Sequence, residues 1–387
     1  MKTIIQAVIL ALVIFLYTGC TKQNEQNKNQ TNKDSTGEQK KYKEISSDSL
    51  KKLTEFIEKF SDSVITKALQ PGMIISITQG DKVIYEKAKG VANIENKTPM
   101  DLKMRFRIGS LTKTFTTTVL LQLVDEKKLT LDESIEKYFP NVPNAKNITI
   151  RMLGDMTSGL FNYSEEPAFA DSMETSPKKK WKPEELIAIS LRNKVYFEPG
   201  KGWHYSNTNT IMLGLIIEKL TNNTLPAEIK KRISDKLGLK QTDFAETPEM
   251  WGSYPRGYSE DDTKWVYPLV DVTTKFDPSW AWAAGAIVSD IADLKIYLKA
   301  LAEGKLISKE MQTERLKWGL DRPGVIKYGF GIFEVGKGYY GHNGSYPGYH
   351  NISVHSPITN ITAIVFYNTQ SDRDPDIFLR TFLPMIQ

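Results

Sequence analysis

Apolar residues recur every three or four positions from Asp48 to about Lys67, where Leu50, Leu53, Phe56, Ile57, Phe60, Val64 and Ile65 share one face. That period predicts an amphipathic helix, ended by Pro71-Gly72. The pattern then changes to two short β-rich runs, Met73–Gln79 and Lys82–Glu86, around Gly80-Asp81, a hairpin signature. Helical periodicity dominates the middle of the chain, with helices expected around 110–128, 183–193, 207–222, 226–237 and 290–303. Strand patterns return near the end, at about Gly329–Val335, Gly338–His342, Tyr349–His355 and Ile361–Tyr367, before a closing helix near Asp374–Met385. Strands at both ends with helices between them predict an α+β fold: one antiparallel sheet built from N- and C-terminal segments and flanked by helices. On this division residues 46–130 and 284–387 form the α/β part, and residues 131–283 an inserted, mainly helical part.

The N-terminal pattern is of another kind. Lys2 precedes an apolar run from Ile4 to Leu16, broken only by Gln6, that ends in Tyr17-Thr18-Gly19-Cys20. The run is shorter than the roughly 20 residues a bilayer core requires, so residues 1–19 read as a signal peptide and not as a membrane span. Cys20 after small residues resembles the lipobox of bacterial lipoproteins, with Tyr17 departing from the usual Leu. Residues 20–45 are almost wholly polar and read as a solvated tether. The expectation is a bacterial protein exported to the periplasm or cell exterior, with a membrane anchor through lipidated Cys20.

Composition narrows the chemistry. The chain has 387 residues, 40% hydrophobic and 25% charged, which excludes a wholly disordered protein. Its net charge of +5 is dispersed, which argues against a nucleic-acid partner. Cys20 is the single cysteine, and the four histidines lack His-Glu-x-x-His spacing, so no metal and no cofactor are expected.

No serine sits in a Gly-x-Ser-x-Gly elbow. Gly331-Ile-Phe-Glu-Val-Gly336-Lys337 looks like a phosphate loop but has Gly338 where a hydroxyl must hold magnesium, so it reads as a strand and a tight turn. Ser110-Leu-Thr-Lys113 has the spacing that lets a lysine amine reach a serine hydroxyl within one turn. Ser49/Lys52, Ser134/Lys137 and Ser176/Lys179 share that spacing, so context decides. Strand-like Phe106-Arg-Ile-Gly109 precedes Ser110, and a helix with Phe115, Val119, Leu120 and Leu123 inward follows. A buried helix start can stabilise developing negative charge and desolvate Lys113 so that its amine is basic. Tyr205-Ser206-Asn207 opens another apolar helix, and His342-Asn343-Gly344 follows strand-like Tyr339-Tyr340, where Gly344 would let a substrate lie against the backbone. Tyr349-His-Asn351 and Lys317-Trp-Gly319 are rivals of the same spacing, and Trp280 and Trp282 could pack the core or line an acyl pocket.

In this order, with the flanks Phe106–Phe115, Leu121–Asp125, Leu129–Asp132, Thr157–Leu160, Tyr205–Thr208 and Gly341–Gly344, the chain resembles the serine penicillin-recognising enzymes. The resemblance is to the DD-carboxypeptidase, class C β-lactamase and esterase group and runs from about residue 50 to the end. It implies a β-lactamase/DD-peptidase-like fold and acyl transfer, with Ser110 as nucleophile and Lys113 or Tyr205 as base. The oxyanion would be held by the Ser110 and Ser345 backbone N–H groups. Asn207 would contact the substrate amide and help position Lys113, and His342 and Gly344 would flank the substrate. As a phenolate near pH 7, Tyr205 must lose about three pKa units, to which a cationic Lys113 or His342 could contribute. The His-x-Gly third motif leans towards the DD-carboxypeptidase branch, although Asn343 replaces the usual Thr and Ser345 could supply the hydroxyl instead. Peptidoglycan peptides are the implied substrate, with small peptides, esters or β-lactams for a β-lactamase or carboxylesterase. A catalytically silent penicillin- or cell-wall-binding protein is the reading of another class.

Overall fold

The computed structural model describes residues 42–67, 70–260, 269–322, 326–370 and 375–385. The expected signal peptide, Cys20 and the expected tether as far as residue 41 lie outside the described residues. Helix α1 spans Ser47–Lys67 and leads into the hairpin β1 (Gly72–Gln79) and β2 (Lys82–Gly90), whose turn places Gly80 at φ +58°. That conformation suits glycine, which lacks the Cβ that makes it costly for other residues.

The hairpin joins the C-terminal strands in one eight-stranded sheet. Its order is β2, β1, Ile361–Tyr367, Tyr349–Ser356, Tyr339–Tyr346, Phe333–Val335, Ile326–Tyr328 and Leu320–Arg322, antiparallel throughout. The union of the two termini runs from Met73 opposite Tyr367 to Gln79 opposite Ile361. Alternation along β1 divides the core: Met73, Ile75 and Ile77 face α1 and the closing helix Pro375–Phe382, while Ile74 faces the larger core on the other side. Both faces of the central strands are covered, which is why Ile361–Tyr367 is buried at every position.

Helix α2 (Thr112–Asp125) runs through the middle of that larger core and buries every residue from Thr112 to Leu123. Its threonines satisfy their hydroxyls on neighbouring carbonyls, as Thr117 and Thr118 do on Lys113 and Thr114. A short 3-10 turn, Gly109–Leu111, precedes it, so the helix expected from residue 110 begins at Thr112. The helix expected over 226–237 is present as Leu225–Ile229, a π-turn at Lys230–Ser234 and Asp235–Leu237.

Two strands at one end of the sheet, the edge strand Leu320–Arg322 and its neighbour Ile326–Tyr328, were not foreseen, because three residues are too few to show a period. The strand expected from Gly329 starts at Phe333, since Gly331 turns the chain at φ +66°. The strand expected to end at His342 continues to Tyr346 through polar Asn343, Gly344 and Ser345, held by pairing with Tyr349–Ser356. The phosphate-loop lookalike is the strand Phe333–Val335 followed by a turn through Gly336 and Gly338.

Candidate active site

Gly109, at φ +52°, bends the chain into the 3-10 turn that carries Ser110. One turn on, Lys113 Nζ lies 3.0 Å from Ser110 Oγ and donates to the Ala284 carbonyl at 2.9 Å. The segment supplying that carbonyl is bound along the same side of α2, where Thr116 donates to Ala283 O at 2.8 Å and Ile287 N to Thr112 Oγ1 at 3.1 Å. Lys113 is fully buried with no carboxylate partner among the described residues, and burial pulls its amine well below the ordinary lysine pKa. The rival lysines have acidic partners: Lys52 with Asp48 at 2.7 Å, Lys137 with Glu133 at 3.8 Å and Lys179 with Glu185 at 3.5 Å. Ser134 is an N-cap.

Tyr205 and Asn207 arrive at the start of the helix Asn207–Thr221. The Tyr205 ring centre is 4.8 Å from Lys113 Nζ and 6.2 Å from the His342 ring. Its enclosed hydroxyl makes no hydrogen bond of good geometry among the described residues. Burial raises its pKa above the ordinary tyrosine value, against a smaller opposite pull from the Ser110 hydroxyl. Asn207 donates from its side chain to Ser164 Oγ, and its backbone N–H to Asn162 Oδ1, each at 3.0 Å. The expectation that Asn207 positions Lys113 is therefore corrected: Ala284 O holds the amine.

His342 is also corrected as a cation. It is 1% exposed, and burial, with repulsion from Lys113, pulls its imidazole down to about 3. Its Nδ1 lies 2.6 Å from the Asn343 carbonyl, so that nitrogen carries the proton, and Nε2 accepts from Tyr328 Oη at 3.2 Å. A neutral ring with both nitrogens engaged does not depress Tyr205.

Gly344 lies on the strand Tyr339–Tyr346 beside the turn Gly109–Leu111. A Cβ there would meet the Ile108 carbonyl oxygen at 1.8 Å and Asn351 Nδ2 at 2.7 Å. The glycine thus admits the protein's own backbone. Tyr346 and Tyr349 flank a two-residue turn, which makes them a hydrogen-bonded pair and puts Ser345 and His350 in a non-bonded pair. The Ser345 N–H then faces away from Tyr349–Ser356, on the side where Gly109 packs against the Ser345 backbone. Beyond Gly341 no strand pairs with that edge among the described residues. The Ser345 hydroxyl accepts from Gln370 Nε2 at 3.1 Å, and Asn343 donates to Asp376 of the closing helix at 2.8 Å.

Sequence reasoning missed Tyr328, Asn162 and Ser164, which brace His342 and Asn207, and kept Asn351 only as a rival motif. The second rival, Lys317, pairs with Glu314 at 2.6 Å. Trp280 and Trp282 pack against the main core, Trp280 5.4 Å from the Tyr346 ring. A cleft of about 400 Å³, lined by Pro143, Leu160, Phe161 and Val195 among others, lies away from Ser110.

A serine hydroxyl facing a buried lysine whose pKa burial lowers, with Tyr205 beside it and an open strand edge across from it, defines a serine hydrolase of the β-lactamase and penicillin-binding type. The sequence profile of the beta-lactamase family matches residues 61–382, and the chain belongs to that family. It is 27% identical over 320 residues to a penicillin-binding protein of Bacillus subtilis, covering 78% of this chain and 69% of that protein. It is 27% identical over 323 residues to a D-aminopeptidase of Brucella anthropi, covering 81% of this chain and 59% of that protein. The structure of the D-amino acid amidase of Ochrobactrum anthropi SV3 with D-phenylalanine matches with TM-score 0.74 at 27% identity, over 87% of this chain and 99% of that one.

Proposed function

We propose that the protein is an exported serine hydrolase that forms an acyl-enzyme on amide and peptide bonds of D-amino acids. The observation that carries this reading is the fully buried Lys113 amine 3.0 Å from Ser110 Oγ. As Ser110 Oγ adds to the carbonyl carbon, Lys113 takes the hydroxyl proton. The C–N bond then breaks, and the departing amine receives that proton by way of the Tyr205 phenol. Water adds to the acyl-enzyme, gives its proton to the same dyad, and Ser110 leaves reprotonated. The backbone N–H groups of Ser110 and Ser345 hold the oxyanion, each contributing about 100- to 1000-fold in turnover. Tyr205 acts as a neutral phenol, because burial raises its pKa while Lys113 is the uncharged base.

The third-motif strand favours a leaving group without a free carboxylate. His342 is neutral, and the Asn343 amide is turned to Asp376, so neither offers a positive contact to a terminal carboxylate. D-aminopeptidase or amidase cleavage therefore ranks ahead of D-alanyl-D-alanine carboxypeptidase cleavage, in keeping with the relatives of those names. The test is a panel of a D-amino acid amide, a D-Ala-D-Ala peptide, a chromogenic cephalosporin and a p-nitrophenyl ester. Highest kcat/KM on the amide supports the ranking, and highest kcat/KM on the D-Ala-D-Ala peptide restores the carboxypeptidase reading. Turnover of none of them, with a lasting penicillin adduct, marks a silent binding protein. Lipid anchoring belongs to the same proposal: globomycin-sensitive processing and fatty-acid labelling of Cys20 support it, and a freely secreted form lacking Cys20 overturns it.

A further inference from the structure

We propose that Asn351 is a positioning residue that sets the geometry of the oxyanion hole. The inference rests on the acyl-transfer reading above. The two N–H groups of that hole belong to elements from opposite ends of the chain, the turn Gly109–Leu111 and the strand Tyr339–Tyr346. Their catalytic worth depends on a separation that neither element sets alone. The backbone ladder on the turn's side leads elsewhere, since Ile108 N donates to Ile287 O at 3.0 Å. Among the described residues one side chain hydrogen-bonds to both sides: Asn351 Nδ2 donates to Ile108 O at 3.1 Å and to Gly344 O at 3.2 Å.

The second of these bonds bears directly on the hole. The Gly344 carbonyl and the Ser345 N–H share one planar trans peptide unit, so they point in opposite directions. The ladder already sets that oxygen, because Gly344 and Asn351 are a hydrogen-bonded pair, and the Asn351 side chain adds a second donor that polarises the same unit and strengthens the Ser345 N–H as a donor. The first bond ties the turn two residues before Ser110 to the same nitrogen. The amide orientation follows from its surroundings. Ser353 Oγ donates to Asn351 Oδ1 at 3.3 Å, and a flipped amide would set that oxygen against two carbonyl oxygens. Asn351 is fully buried and directly opposite Gly344 in the ladder, so it touches no substrate and acts through the backbone.

The test compares the unsubstituted protein with Asn351→Leu, close in size but without a donor, and with the milder Ser353→Ala. Three readouts apply: kcat and KM on a D-amino acid ester, affinity for an aryl boronic acid that forms a tetrahedral adduct on Ser110, and the infrared carbonyl stretch of the acyl-enzyme. Asn351→Leu is expected to lower kcat and boronic acid affinity by about 10- to 100-fold with KM within about threefold, short of losing a whole donor. The acyl carbonyl stretch moves to higher wavenumber as its hydrogen bonds weaken. Ser353→Ala shifts all three the same way by a smaller factor. A folded Asn351→Leu that loses only thermal stability, with the three readouts unchanged, overturns the proposal. If that variant does not fold, unchanged boronic acid affinity and carbonyl stretch in Ser353→Ala overturn it. No adduct on Ser110 in the unsubstituted protein would instead sink the acyl-transfer reading, and this inference with it.

Discussion

Gly109→Ala tests how the nucleophile turn meets the strand that faces it. The residue sits at φ +52°, and an added Cβ would lie 2.5 Å from Ser345 O, 2.7 Å from Ser345 N and 2.8 Å from Ser345 C. All three are backbone atoms, so no side chain can swing aside to make room. The left-handed conformation costs an alanine roughly 1–2 kcal/mol. Overpacking against a fixed wall adds about 1–3 kcal/mol. The expected destabilisation is therefore about 2–5 kcal/mol. Relief comes by pushing the turn away from Ser345, which moves one oxyanion donor relative to the other. Acylation should fall by up to about 100- to 1000-fold, the worth of one donor. The assay is denaturant unfolding beside pre-steady-state acylation by a p-nitrophenyl ester at 25 °C. Gly238→Ala is the control, at φ +68° with nothing within 4 Å of the added carbon. It should cost only the backbone strain and leave acylation unchanged. A folded Gly109→Ala protein that acylates at the unsubstituted rate would refute the reasoning.

Lys113→Met should abolish acylation and yet stabilise the fold at neutral pH. Burial lowers the Lys113 pKa, so between its folded and unfolded values the unfolded chain binds more protons and stability rises with pH. Denaturation curves across that range should show the gain from the methionine shrinking as pH climbs, and a constant gain would count against a depressed pKa. In the unsubstituted protein, single-turnover acylation should rise with pH through the Lys113 titration and then level off, which stopped-flow profiles read directly. Tyr205→Phe should lower single-turnover amide cleavage by about 100- to 10,000-fold through loss of the proton relay. A good-leaving ester should suffer less, and equal losses on both would argue against that role. His342, buried and pulled down to about 3 from 6.5, makes its neutral ring a liability in acid. Stability should fall as pH drops from about 6.5 towards 3, by on the order of several kcal/mol, and the pH–stability curve of His342→Gln should be flatter there.

The reach of the sequence reading differs from element to element. Helix α1 and the hairpin β1–β2 were legible because their faces differ in environment, so spacing and burial coincide. The pair Ser110 and Lys113 was legible because apolar flanks separated it from three look-alikes whose lysines have acidic partners. Leu320–Arg322 and Ile326–Tyr328 were not, because strands of three residues are too short to show alternation and owe their form to pairing in the sheet. His342 was read as a possible cation because nothing local to His-Asn-Gly reveals Tyr328, which contacts it from another strand. Asn351 looked like a spare Tyr-x-Asn motif for the same reason. Its meaning lies in Ile108, 243 positions away in the chain and joined to it only by the fold. The oxyanion edge at Ser345 followed from resemblance alone until strand register showed which way its N–H points.

The most direct test of the acyl-transfer mechanism is rapid-quench intact-mass and peptide analysis of the protein from about residue 45 onward, mixed with an active D-amino acid ester. Ser110→Ala and Lys113→Met run beside it. The expected result is one acyl adduct within the first turnover, mapped to Ser110, absent from Ser110→Ala and at most a trace in Lys113→Met. An adduct on another residue, or ester turnover that persists in Ser110→Ala, would contradict the mechanism.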